Sequence, residues 1–593
     1  MDEPATDKHE DRPTIPRSEP EGQPNLDDRP PTPPRGRRAL EALGAFGIYL
    51  VASIAVWGLP VLRHLDRDCV GVCSSDTKLY VWAMAWMQHA VTHGLDPLFS
   101  TAVWAPQGTN LTWVTTLPGP SFVMAPITGA LGPLVSENLL MLLAPALGAW
   151  AAYLLCRQAT DRFWPALFGG AVFGFSTYMV QHMRAQLNLL LIFFMPLAAY
   201  LVVRRVRGSL GKIAFVLLLA AVLVGQFSDS SEMFASLAFF GGIAYAGALA
   251  FGGAWRRRLL RALPLVAAAY AIALVAVSPF LIKAFTDLPP EAVRPLDLNS
   301  ADLLSFLVPR ATMLFGGAHF ANVSRHFPGL SSDDTAYLGP AFLLILVLFA
   351  WDRRRERSTW LLLGFAAIPA VLALGPILHV HGVPKFSMPG KILAQVPLLQ
   401  HALPERFPAY VWLVLAVASS LWLASGTGRL GLLRYALVAV ALVGLAPDLN
   451  AAPYHGTLTV PPFITEGTYQ QQLAPGSTIL VIPRQLGDDG VWQAYAGFWF
   501  NLGRAYVGPL HPTDVVVLGP LLSDPQTIPP TGSRFGEFIV AHEVKAIVIA
   551  EPVPSAMSDA VSHVLGVDPV SVGGVEIYHV PPGFDGTPAE PIG

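Results

Sequence analysis

Asp76 lies in the stretch CVGVCSSDTKLYVWAMAWMQHAVTHG, residues 69–94, at the head of a run in which Leu79, Trp82, Trp86 and Ala90 share one helical face. A carboxylate in that place has two uses. It can cap the helix by accepting from backbone N–H groups that have no intrahelical partner. Where Ser74 or Ser75 caps instead, Asp76 is left in the first turn, placed to accept a proton as a general base. A second stretch, GQFSDSSEMFASLAFF (225–240), separates two apolar runs so narrowly that Asp229 and Glu232 must sit at or just inside a membrane interface. Carboxylates at that depth are costly unless paired or functional; the alternative is a polar hairpin tip facing water. Asp333 and Asp334 in SSDDTAYLG precede an apolar run in the same way, as a cap, an acceptor site or half of a metal site.

Metal-ligating patterns are sparse. His89 and His93 stand one helical turn apart and His379 and His381 form HVH, but neither pair has the HExxH pattern or a third ligand at a telling distance. No structural zinc is expected. A divalent cation such as Mg or Mn stays open, because oxygen-ligand sites leave little trace in sequence. Of the three cysteines, Cys69 and Cys73 are close enough in sequence to pair if their loop lies in an oxidising compartment, and Cys156 is a lone membrane thiol. No nucleophile elbow, phosphate-binding loop or dinucleotide fingerprint occurs in a suitable context.

The scaffold for these residues is a membrane domain. The chain is 53% hydrophobic and 13% charged, with a mean hydropathy of +0.48, too apolar for an ordinary soluble enzyme. A net charge of −3, without basic residues interleaved with stacking ones, gives no case for nucleic acid. Apolar stretches near 40–62, 137–156, 164–181, 187–203, 213–228, 233–252, 262–284, 337–351, 359–377, 409–425 and 432–447 predict about eleven transmembrane helices, an all-α polytopic domain. The segment 117–134, broken by Pro and Gly, is better read as dipping or interfacial.

Basic clusters at 35–38, 204–208, 255–261, 351–358 and 428–434 all fall on one side if the N-terminus is cytoplasmic. An odd number of spans then puts the C-terminus outside. Three domains follow: a disordered cytoplasmic tail over 1–36, a transmembrane domain over 37–449 with outer loops 63–117, 285–336 and 378–408, and an extracytoplasmic α/β domain over 450–593. The last rests on β-rich pieces at 477–483, 514–519, 545–551 and 575–581, with a helical 554–567 suggesting a β-α-β element.

A first span followed by a long outer loop with an acid near its helix start, then HGLDP (93–97) and PQGTNL (106–111), resembles the GT-C class of membrane glycosyltransferases. An Arg-containing outer loop before a late span, PERFP (404–408), agrees with it. The resemblance implies an inverting transferase that takes a sugar from a polyprenyl phosphate. The acceptor would be a cell-envelope glycan, glycolipid or protein at the outer face of a bacterial plasma membrane.

It also assigns roles. Asp76 matches the first-loop acid that serves as base, although the second acid many members carry beside it is replaced here by Ser74, Ser75 and Thr77. Arg406 is the candidate for the donor phosphate, which a guanidinium grips bidentately, with Lys391, Arg310, Lys385 and Arg184 behind it. Otherwise Arg406 anchors its span at the headgroups. Asp229, Glu232 and Asp334 are candidates for sugar hydroxyls or a cation. The rival function is a transporter or flippase of a lipid-linked substrate, which should carry paired charges or broken helices at mid-membrane depth.

Overall fold

The computed structural model describes residues 35–287, 296, 299–329, 335–395, 402–450, 454–507 and 533–588. Seven helices among them are long and apolar enough to cross a membrane: Gly36–Gly58, Pro133–Thr160, Leu187–Val206, Lys212–Asp229, Ser231–Phe251, Arg256–Ala276 and Pro404–Ser425. The protein is a membrane protein. Four more of the expected stretches form shorter helices, Phe163–Gly174, Gly339–Asp352, Arg357–Ala373 and Gly428–Val443. The Pro- and Gly-broken segment forms the helix Pro118–Leu131, at 14 residues below the length of a span.

Pro133–Thr160 is the central helix, packed on Arg35–Ser53, Phe163–Gly174, Phe194–Val206 and Pro408–Ser425. Gly170 and Gly174 permit the closest of these contacts, because a Cβ on either would run into Ala149. Small residues at such crossings are how helices associate in lipid, where burial of apolar surface supplies little drive.

The C-terminal part contains a five-stranded sheet. Its order is Val570–Val572, Val575–His579, Ala546–Ala550, Thr478–Ile482, Asn501–Leu502. Ala546–Ala550 and Thr478–Ile482 run parallel and are buried at every residue, as expected for strands covered on both faces. The expected β-α-β element is corrected in one respect: Ala546–Ala550 and Val575–His579 are antiparallel. The short strand Val570–Val572 and its turn at Gly573 and Gly574, both at positive φ, reverse the chain after the helix Ser555–Leu565. The expected strand at 514–519 lies outside the described residues.

Two hydrophobic cores result, one among the membrane helices and one around the sheet. The helix Ser75–His93 belongs to both. Its Tyr80 and Met84 pack into the first core, while Leu79, Trp82, Trp86 and Ala90 pack into the second. Sequence reads that stripe as one apolar face, and the opposite face is buried as well. The junction is stitched by backbone as well. Asp68–Val70 pairs antiparallel with His455–Thr457, and the Leu502 N–H donates to the Ala102 carbonyl at 2.8 Å.

Candidate active site

Ser74 is the helix cap: its hydroxyl accepts from the Thr77 N–H at 3.3 Å, and the Thr77 hydroxyl donates to the Val72 carbonyl at 2.8 Å. Asp76 therefore sits in the first turn rather than at the cap, and it lines a cavity of about 270 Å³. Tyr506, from the C-terminal part, donates its hydroxyl to Asp76 Oδ1 at 3.4 Å. One turn along, the Tyr80 hydroxyl donates to Asn188 Oδ1 at 2.7 Å. Burial, and next the Asp76 carboxylate, push the Tyr80 phenol well above its ordinary value, with the Arg406 charge opposing. Tyr80 is accordingly a neutral donor at any physiological pH.

The facing wall is built where Lys212–Asp229 ends and Ser231–Phe251 begins. The Ser230 hydroxyl caps the second helix by accepting from the Met233 N–H at 3.3 Å. Asp229 is only 4% exposed, so this tip is a cavity wall and not a hairpin end in water. Gln226 Nε2 donates to Asp229 Oδ2 at 3.4 Å, and Oδ1 accepts no hydrogen bond among the described residues. Glu232 is fully engaged in a different way. Its Oε1 accepts from the Leu403 N–H at 2.9 Å, and its Oε2 is ion-paired with the Arg406 guanidinium. Arg406 ends the 3₁₀ turn Pro404–Arg406, from which Pro408–Ser425 continues into the membrane domain. The cavity thus brings together Asp76, Asp229, Glu232 and Arg406 from three separate parts of the chain.

Other candidates fall elsewhere. Arg310 does not line the cavity; its Nη1 donates to the Ser324 carbonyl at 2.7 Å and its guanidinium lies over the Phe327 ring. It ties a loop to itself. Lys391 is exposed in the 3₁₀ segment Pro389–Gln395, away from the lining residues. Asp333 and Asp334 lie outside the described residues. Cys69 and Cys73 are joined by a disulfide, with Cα atoms 5.7 Å apart, directly before the helix cap. His89 and His93 stack on each other, and His381 meets His326 rather than a metal-ligand set. Among the described residues no three His, Cys, Asp or Glu side chains converge to hold a metal ion.

Three features were not read from sequence. Tyr506 gives no signal in GRAYVG. Lys78, 2% exposed, pairs with Asp488 at 2.6 Å and donates to Gln485 Oε1 at 2.8 Å, fastening the Asp76 helix to the C-terminal part. Glu137 is wholly buried near the start of Pro133–Thr160. An acid within the first turns of a span would have been its only mark.

Residues 46–446 match the model of a family described as a domain of unknown function, DUF6311. The chain belongs to that family. Every residue named above as lining the cavity falls within the matched span except Tyr506. No curated protein matches the chain. Among solved structures it is similar to the arabinofuranosyltransferase AftD from Mycobacteria, with a TM-score of 0.57 and 14% identity over 92% of this chain. That alignment covers 40% of AftD, so the chain spans well under half its length. It is also similar to the archaeal oligosaccharyltransferase AglB from Archaeoglobus fulgidus, with a TM-score of 0.50 and 12% identity over 86% of this chain and 70% of that one. The fold is that of the GT-C class of membrane glycosyltransferases.

Proposed function

We propose that the protein is an inverting membrane glycosyltransferase that takes a sugar from a polyprenyl-phosphate donor and transfers it to an envelope glycan, glycolipid or protein at the extracytoplasmic face. The observation that carries this is the single cavity lined by Asp76, Asp229, Glu232 and Arg406 in a GT-C fold. The solved AglB structure, determined with a dolichol-phosphate and an inhibitory peptide, supports a lipid-phosphate donor and a separate acceptor.

In this reading Asp76 accepts the proton of the acceptor hydroxyl as its oxygen bonds to the anomeric carbon, and the bond from that carbon to the phosphate oxygen breaks. The lipid phosphate leaves as a stable anion, so no strong general acid is needed. Arg406 supplies positive charge to that anion, held in place by Glu232. Asp229, with one carboxylate oxygen facing no protein donor among the described residues, takes a sugar hydroxyl or a divalent cation such as Mg or Mn. Tyr80 and Asn188 add neutral hydrogen-bonding capacity to the same wall.

The sidedness follows the basic clusters, with eleven spans, a cytoplasmic N-terminus and the C-terminal sheet outside. The Cys69–Cys73 disulfide supports placing this loop in an oxidising compartment. The test is to give the purified protein polyprenyl-phosphate sugars and candidate acceptors and to follow both sugar transfer and movement of the donor lipid across liposomes. Transfer supports the reading. Lipid movement with every donor and transfer with none would replace it by the transporter.

A further inference from the structure

We propose that the C-terminal part completes the active site through Tyr506, a positioning residue that sets the orientation and charge state of the Asp76 carboxylate. The inference rests on the glycosyltransferase reading above.

Tyr506 reaches Asp76 across 430 residues of sequence, and its place is fixed from behind. Asp489 is fully buried, its Oδ1 accepts from the Gly490 N–H at 2.9 Å, and the main chain of Tyr506 passes close to the same carboxylate. Arg504, 1% exposed, faces the same carboxylate at 3.8 Å. A buried pair at that distance is a poor source of net stability, since removing both charges from water costs more than they recover. What it does do is hold the main chain two residues before Tyr506.

The neighbouring acid, Asp488, is fastened to Lys78 on the Asp76 helix. The first turn of the helix Asp488–Tyr495 therefore grips both partners of the Tyr506–Asp76 contact, one with each aspartate. Two adjacent acids serving two different elements at one contact is a clamp.

A hydroxyl donated to a carboxylate favours the ionised form and restricts its rotation, both of which a base needs. The other charged and titratable groups facing this cavity are Tyr80 on the same helix and Asp229, Glu232 and Arg406 on the opposite wall, while Lys78 is turned toward Asp488. On that wall Arg406 is paired with Glu232. Tyr506 adds a donor from outside that wall.

The experiment uses the full-length protein in detergent with a polyprenyl-phosphate sugar donor, and compares wild type with Tyr506→Phe, which removes one oxygen and keeps the ring. The expected result is a fall in kcat of about tenfold, an unchanged donor KM, and an acidic limb of the kcat/KM profile displaced upward by about half a pH unit. Asp489→Asn should move the same two quantities in the same direction, and combining it with Tyr506→Phe should add little, because both act through one contact. An unchanged kcat and acidic limb in Tyr506→Phe, with only the melting temperature altered, overturns the inference and leaves the glycosyltransferase reading standing. Absence of transfer by the wild type overturns both.

Discussion

Glu232 and Arg406 form an ion pair that joins the first turn of Ser231–Phe251 to the turn before Pro408–Ser425, with side chains 18% and 10% exposed. Their contact makes one wall of the cavity out of two helices that are 174 residues apart in sequence. Glu232 holds the Leu403 N–H as well, so the position of Arg406 is set through both its own side chain and the backbone just before it.

Arg406→Ala removes the proposed phosphate partner and breaks the ion pair with Glu232. Breaking a largely buried pair in this way costs about 3 kcal/mol. The donor KM should rise by at least about tenfold, whereas Arg406→Lys, which keeps the charge but loses the planar fork, should fall between the two. Steady-state kinetics with varied donor, beside thermal unfolding, check both halves.

Gln493 is 0% exposed and joins three groups: it accepts from Trp82 Nε1 at 2.9 Å and donates to the Ala102 and Phe500 carbonyls at 2.6 and 2.9 Å. Gln493→Leu removes the partner of Trp82 Nε1 and of the Phe500 carbonyl, while the Ala102 carbonyl keeps the Leu502 N–H. A loss of about 3 kcal/mol is expected, read as a lower denaturant midpoint, with increased hydrogen exchange along Ser75–His93.

The carboxyls of Asp488 and Asp489 are both raised above the usual range, by burial first, with Lys78 and Arg504 respectively opposing. The folded state thus holds these protons more tightly than the unfolded chain does. That contribution is complete below the ordinary value of about 4 and is lost as pH rises through the raised ones. Melting temperature should therefore decline over that interval, and Asp489→Asn should flatten the decline. A melting temperature rising across the same range contradicts the assignment.

The Cys69–Cys73 disulfide closes a very short loop immediately before the Ser74 cap. Loop-closure entropy for so few residues is worth about 2 kcal/mol. Replacing both cysteines by Ala should lower stability by that amount and increase exchange at the N–H groups of the first turn, where Asp76 sits. Equal exchange in both forms would show that the Ser74 cap alone fixes the turn.

Sequence carried the cavity further than the junction. Asp229 and Glu232 are legible because carboxylates beside apolar runs are costly, and the cost marks them wherever the chain later folds, whereas Asp76 and Arg406 take their roles from the GT-C resemblance. Arg310 reads like Arg406 and has a different fate, since a guanidinium engaged by the Ser324 carbonyl looks in sequence like one awaiting a phosphate. Lys78 and Tyr506 could not be read. Their partners lie over 400 residues away in sequence, and no local periodicity records such a pairing. The antiparallel return of Val575–His579 was missed for a smaller reason: the three-residue strand Val570–Val572 is shorter than any pattern that alternation can establish.

The central claim is that Asp76 is the base of a glycosyl transfer. Its most direct test is the initial rate of sugar transfer from a polyprenyl-phosphate donor by folded Asp76→Asn protein relative to wild type. The amide keeps the size and the contact from Tyr506 but has little basicity, so the rate should fall by at least about a hundredfold. An Asp76→Asn rate equal to wild type, with the same melting temperature, would contradict the account.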